Sequence, residues 1–99
     1  MSDTKKNIIN WQWHDIPEMV SLFVHLLALA QHGNYKWRGR VIKRGQLVTS
    51  RARLAELTGI SAQTIRTCLA RLESTNDITK QSTNRNSIIT ICDFDSWRS

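Results

Sequence analysis

Between Leu54 and Leu72 the apolar positions form two short helical patterns, parted by Thr58, Gly59, Ile60 and Ser61. Leu54, Ala55 and Leu57 belong to the first; Ile65, Cys68, Leu69 and Leu72 line one face of the second. Ser50 and Ser61 stand at N-cap positions, and Gly59 stands where a chain leaves a helix through the left-handed region. The spacing therefore predicts helices over 51–58 and 62–74, a helix-turn-helix. Leu54 anchors the first helix, and Ala55 is small enough for the second to cross over it. Ile60 plugs the corner, while Ile65 and Cys68 hold the second helix on the core.

Upstream, Pro17 suits a first helical turn, with Asp15 as a capping carboxylate and Glu18 complementing the dipole. A helix over 17–32 comes next, ended by Gly33. It is apolar nearly all round, whereas a helix at the edge of a small domain needs only one apolar stripe. That surplus predicts a homodimer through helix 17–32; the alternative is a cover built from Trp11, Trp13, Trp37 and Trp97. Ile9, Trp11 and Trp13 alternate with polar residues and predict a brief extended segment. Residues 33–44 read as a basic loop and 45–48 as a short strand. Two β-branched runs, 78–81 and 87–91, flank a polar turn and predict a hairpin. The chain then divides into an arm (1–14), one domain (15–92) and a tail (93–99). The order helix, strand, helix, helix, strand, strand is that of an α+β winged helix-turn-helix, with three helices and a small β-hairpin wing.

Charge changes the picture from a fold to a partner. The 99 residues carry a net charge of +6 and a pI near 10.0. Between Lys36 and Leu72 nine basic residues face Glu56 as the one acid, leaving +8 in that third of the chain. Such a field calls for an anionic partner, either nucleic acid or an acidic membrane surface, and double-stranded DNA is the partner that the helix-turn-helix adds. With Ile65, Leu69 and Leu72 turned inward, Gln63, Thr67, Ala70 and Ser74 face outward, flanked by Arg66 on one side and by Thr64 and Arg71 on the other. Gln pairs with adenine edges, Arg grips guanine, and a threonine methyl touches thymine. Ser61 offers a hydroxyl and nearby backbone N–H groups to a phosphate. Arg51 and Arg53 open a helix where cations oppose the dipole, which favours a phosphate clamp over a structural role. Lys43 is a further candidate for phosphate, and Lys80 and Arg85 lie on the expected wing.

Other chemistry finds little footing. Asp77, Asp93 and Asp95 have no His or nucleophile at useful spacing, so no catalytic residue and no enzyme is expected. Cys68 and Cys92 are far apart, His14, His25 and His32 are scattered, and no metal or cofactor is expected. The polar opening predicts no secretory signal, and the apolar run 22–30 is too short to span a membrane. A cytoplasmic protein is the expectation.

The run IKRGQLVTSRARLAELTGISAQTIRTCLARLESTNDITKQSTNRNSIITI resembles the N-terminal winged-helix domains of phage replication proteins and DnaD-like primosomal proteins, and the likeness covers nearly the whole chain. It implies DNA binding, self-association and replication proteins as partners, and a fragment of a longer protein or a small stand-alone phage protein. More distantly, SRARLAELTGISAQTIRTCLARLE is similar to the signature of GntR-type regulators, which implicates Arg51, Ser61, Gln63, Thr64 and Arg66 in DNA contact. Ala62, where those regulators carry arginine, and the tip TNRN, where their wing is glycine-rich, leave the replication reading in front. A small transcription regulator and a winged helix that binds protein without DNA are the competing readings.

Overall fold

Two serines and a glycine set the middle of the chain as their spacing demands. A computed structural model describes residues 8–30, 33–83 and 85–98. In it α2 spans Arg51–Thr58 and α3 spans Ala62–Ser74. Ser50 Oγ accepts from Arg53 N at 3.2 Å and Ser61 Oγ from Thr64 N at 3.2 Å, so each helix has one otherwise unpaired N–H satisfied. Gly59 lies at φ 76°, and its N–H closes α2 on the Ala55 carbonyl. Thr58 Oγ1 donates to the Leu54 carbonyl and accepts from Ile60 N. The corner is thus tied down on both sides of the glycine. Beyond α3, Asn76 takes φ 61° and Asp77 N donates to the Leu72 carbonyl, a helix stop built on asparagine.

Around this pair the chain is mixed α+β. Helix α1 is Pro17–Leu29, and two small antiparallel sheets account for the strands. The first sheet is a hairpin of β1 (Tyr35–Trp37) and β2 (Arg40–Ile42). The second has the order β3-β5-β4, from β3 (Gln46–Thr49), β4 (Ile78–Ser82) and β5 (Ser87–Ile91). Registers Thr49↔Ser87 and Ser82↔Ser87 bring the end of β3 and the tip of the β4–β5 hairpin to one end of this sheet. A fourth helix, α4, covers Phe94–Arg98.

One core joins the helices to the sheet. Met19, Leu22, Phe23 and Leu26 of α1 are buried with Leu54, Ile65, Leu69, Leu72, Leu47, Ile78, Ile89 and Ile91. Ile42 and Ile88 are also buried but lie outside this cluster. Ile88 neighbours Ile89 along β5, so it faces the opposite side of the pleat.

Several expectations change. The stretch 33–44 is a hairpin rather than a loop: Arg38 and Gly39, at φ 50° and 78°, make the two-residue turn whose twist suits paired strands. Residues 8–14 are not extended. Ile8–Asn10 is a 3-10 turn, Trp11 is buried, and Trp13 Nε1 donates to Thr75 Oγ1 at 3.2 Å. Residues 94–98 form a helix that the sequence pattern did not predict. Helix α1 starts from Ile16 without a side-chain cap, so Asp15 does not serve there. It ends at Leu29 with Ala30 as C-cap, short of Gly33, and positions 31 and 32 of the expected span fall outside the described residues.

Part of the apolar surplus of α1 is covered within the chain. Trp11 and Trp97 pack on Phe23 with ring centroids 4.6 and 4.9 Å away, and on each other at 5.7 Å. These separations match favourable tilted and edge-on aromatic pairs. Among the described residues of α1, Val24 is the one large apolar side chain left exposed, at 47 %. The face that suggested a dimer is reduced to that valine and its half-buried neighbours. Trp37 takes no part, since it belongs to the β1–β2 hairpin.

Gly45 fixes how the hairpin joins the sheet. Gln46 N donates to the Lys43 carbonyl at 3.0 Å, and Gly45 at φ 84° is the third residue of this β-turn. Positive φ there is the demand of a type II turn. A Cβ on Gly45 would also lie 3.0 Å from Phe94 Cβ.

Trp11→Ala is expected to lower the unfolding free energy by about 3–5 kcal/mol, as for other buried aromatic truncations. Urea unfolding measures it, and a loss below about 1 kcal/mol would place Trp11 outside the core. Gly45→Ala is expected to cost more than the roughly 1 kcal/mol of an unfavourable left-handed residue alone, because Phe94 must also shift.

Candidate nucleic-acid interface

The N-termini of α2 and α3 open onto the same space, and the tip of the β4–β5 hairpin closes its third side. The result is an open groove of about 910 Å³. Ser50, Arg51 and Ala52 come from the start of α2, and Ala62, Gln63 and Arg66 from the first turns of α3. Lys80, Ser82, Thr83, Arg85, Asn86 and Ser87 come from the hairpin. Its tip is held by Thr83 N donating to the Asn86 carbonyl at 2.8 Å, and by Asn86 N donating to Thr83 Oγ1 at 3.2 Å.

The electrostatics of this groove have one sign. Arg51, Arg66, Lys80 and Arg85 line it, all exposed, and no Asp or Glu is among the described lining residues. Neither α2 nor α3 has an acid in its first turn, so nothing offsets the positive end of either helix dipole. Surfaces usually intersperse charges of both signs. Here Gln63 and Asn86 add amide donors and acceptors, and Ala52 and Ala62 leave room for close approach. Such a lining can hold a polyanion with hydrogen-bonding groups at its core.

Five of the residues expected at a site are thus brought together: Arg51, Gln63, Arg66, Lys80 and Arg85. Ser61 and Thr64 form the cap of α3, where Ser61 Oγ also donates to Thr64 Oγ1 at 2.9 Å. Thr67 is exposed one turn beyond Gln63, and its hydroxyl donates to the Gln63 carbonyl at 3.3 Å. Arg53 is exposed on α2 but does not line the groove. Two expected contacts fall elsewhere. Arg71 has its guanidinium 6.0 Å from the Trp13 ring, at the far end of α3. Lys43 lies in the turn before β3, at the opposite end of the sheet from Thr49 and Ser87.

The residues that the sequence did not single out for the site include Ser50 and Ala52 and, above all, the polar hairpin positions Ser82, Thr83, Asn86 and Ser87. Their signal was the polar run between two β-branched segments, which marked a turn but not its orientation toward α3. The described lining has no His, Cys, Asp or Glu, and no three such residues anywhere among those described could hold a metal ion. His14 and His25 donate from Nδ1 to the carbonyls of Trp11 and Ser21. Cys68 is 2 % exposed; burial pushes its thiol above the usual pKa, Glu18 adds to the rise and Arg71 opposes it. No described helix is long and apolar enough to cross a membrane.

Because Arg71 packs on Trp13 and Arg66 faces open solvent, the two arginines should differ in unfolding experiments. Arg71→Ala is expected to lose about 0.5–1 kcal/mol of stability, the worth of an exposed cation–π contact. Arg66→Ala should stay within about 0.5 kcal/mol of the parent.

Compared with known proteins, the chain matches no family model, no curated protein and no solved structure.

Proposed function

We propose that this chain is a winged helix-turn-helix domain that binds double-stranded DNA, with α3 as its recognition helix and the β4–β5 hairpin as its wing. The observation that carries this reading is the groove between them, where four cations and two helix N-termini meet no acid. Phosphate oxygens are the natural complement of that set. Arg51, the Ser61 cap and its adjacent N–H groups, Lys80 and Arg85 position the backbone. Gln63, Arg66 and Thr67, on successive outward turns of α3, present hydrogen-bonding groups to base edges. The process we propose is replication initiation in a phage or prophage, with other replication proteins as partners. It rests on the likeness to phage and primosomal domains. The same chemistry in a small transcription regulator is the second reading, carried by the GntR-like signature of α2 and α3. In either role the chain acts in the cytoplasm.

Fluorescence anisotropy with labelled duplex across a salt series tests the DNA reading. Four groove cations, each displacing a condensed counterion, give an expected slope of log affinity against log salt of about −3.6, at about 0.9 per phosphate. A flat response, or no binding at low salt, sinks it. On a duplex selected from a random pool, Arg66→Ala and Gln63→Ala are expected to lose about 1–3 kcal/mol more than on unselected duplex. Arg51→Ala should weaken both duplexes alike. Equal losses for all three would mean that α3 reads no sequence.

A further inference from the structure

We propose that the β1–β2 hairpin is a second DNA-binding element, holding backbone phosphates of the duplex outside the stretch seated in the groove. The inference rests on the DNA-binding reading of the groove and extends it to a surface that the groove does not include.

Residues 33–45 carry Lys36, Arg38, Arg40, Lys43 and Arg44 and no acid. Arg44 is answered by Asp95, with Nη2 2.6 Å from Oδ1. The other four are exposed and meet no carboxylate among the described residues. A tight hairpin brings these like charges together, an arrangement that costs free energy until an anion arrives. The register places Tyr35, Trp37, Arg40 and Ile42 on one face, and Lys36 and Val41 on the other. Ile42 is buried and Tyr35 and Trp37 are half-buried, so the base of the first face is turned to the protein, while Arg40 at its tip end and the whole second face are exposed.

The tip is built for presentation. Arg38 and Gly39 form a two-residue turn, and the Arg38 guanidinium lies 5.2 Å from the Trp37 ring centroid. Packing on an aromatic face fixes an arginine without consuming its hydrogen-bond donors. The turn at 43–46 reverses the chain between β2 and β3, which lie close together without pairing. A two-stranded ribbon with a basic tip suits the backbone or grooves of a duplex. An anionic membrane would favour a tip of exposed aromatic or aliphatic residues. Here the tip is arginine and glycine.

The test compares three proteins on a duplex of about one helical turn and one of about three: the parent, Lys36→Ala/Arg38→Ala/Arg40→Ala, and Arg51→Ala/Arg66→Ala. The parent should favour the longer duplex. The hairpin variant should lose that preference, and its salt slope on the longer duplex should fall by up to about 2.7, at about 0.9 per phosphate contact. Circular dichroism should show it folded, with its melting temperature lowered by no more than the lost Arg38–Trp37 contact accounts for; Arg38→Gln alone, with a slope reduced by about 0.9, serves if the triple variant is unstable. If the hairpin variant matches the parent while the groove variant loses binding, the inference falls and the DNA reading stands. If the parent binds neither duplex, both fall. Loss of phosphatidylserine-vesicle binding with an unchanged DNA slope would assign the hairpin to a membrane. Loss of a parent dimer in sedimentation, again with an unchanged slope, would assign it to a second copy of the chain. Either result overturns the proposal.

Discussion

The corner between α2 and α3 must satisfy the backbone at two helix ends within three residues while holding the helices at one angle. Gly59 absorbs the left-handed turn, Thr58 ties its hydroxyl to the Leu54 carbonyl and to Ile60 N, and Ser61 caps α3. Leu54 below and Ile65 with Cys68 above then lock the crossing onto α1 and the sheet. Every feature of the groove inherits that angle. A different crossing would carry Arg51 away from Arg66, and both away from the β4–β5 tip. The aromatic cover of Trp11 and Trp97 over Phe23 does the same service at a distance, by keeping α1 fixed beneath the pair.

The features legible in the sequence were those decided locally. Both limits of α2 and the start of α3 come from Ser50, Gly59 and Ser61, each of which fixes a backbone conformation by its own chemistry. The β4–β5 hairpin was legible because β-branched runs flank a polar turn. The β1–β2 hairpin was not, because its strands are three residues each: Tyr35, Lys36 and Trp37 alternate for a single period, Arg40, Val41 and Ile42 do not alternate, and the turn is an arginine before a glycine. Trp11 and Trp13 mimic a strand's period of two, yet Trp11 is buried by Phe23 and Trp97, residues distant in sequence. Helix α4 is too short for a periodic signal, and it is held by packing of Phe94 and Trp97 rather than by propensity.

The candidate site divides on the same line. Helical phase alone brought Gln63 and Arg66 to the outward face of α3, and charge counting brought out Arg51. Phase cannot tell what stands opposite an exposed face. Arg71 faces outward too, but Trp13 is there to receive it. Lys43 belongs to the same basic run as Arg51, and a β-turn and a strand carry it to the other end of the sheet.

The uncompensated cations of the groove also act on the molecule that carries them. Arg51, Arg66, Lys80 and Arg85 are brought close only by folding, so their mutual repulsion weighs against the native state and is relieved in the unfolded chain. Small ions screen that repulsion within about a Debye length, roughly 8 Å at physiological ionic strength. They also compete with a polyanion for the same groups. Ionic strength therefore pulls in two directions: salt that steadies the fold weakens the complex proposed for it.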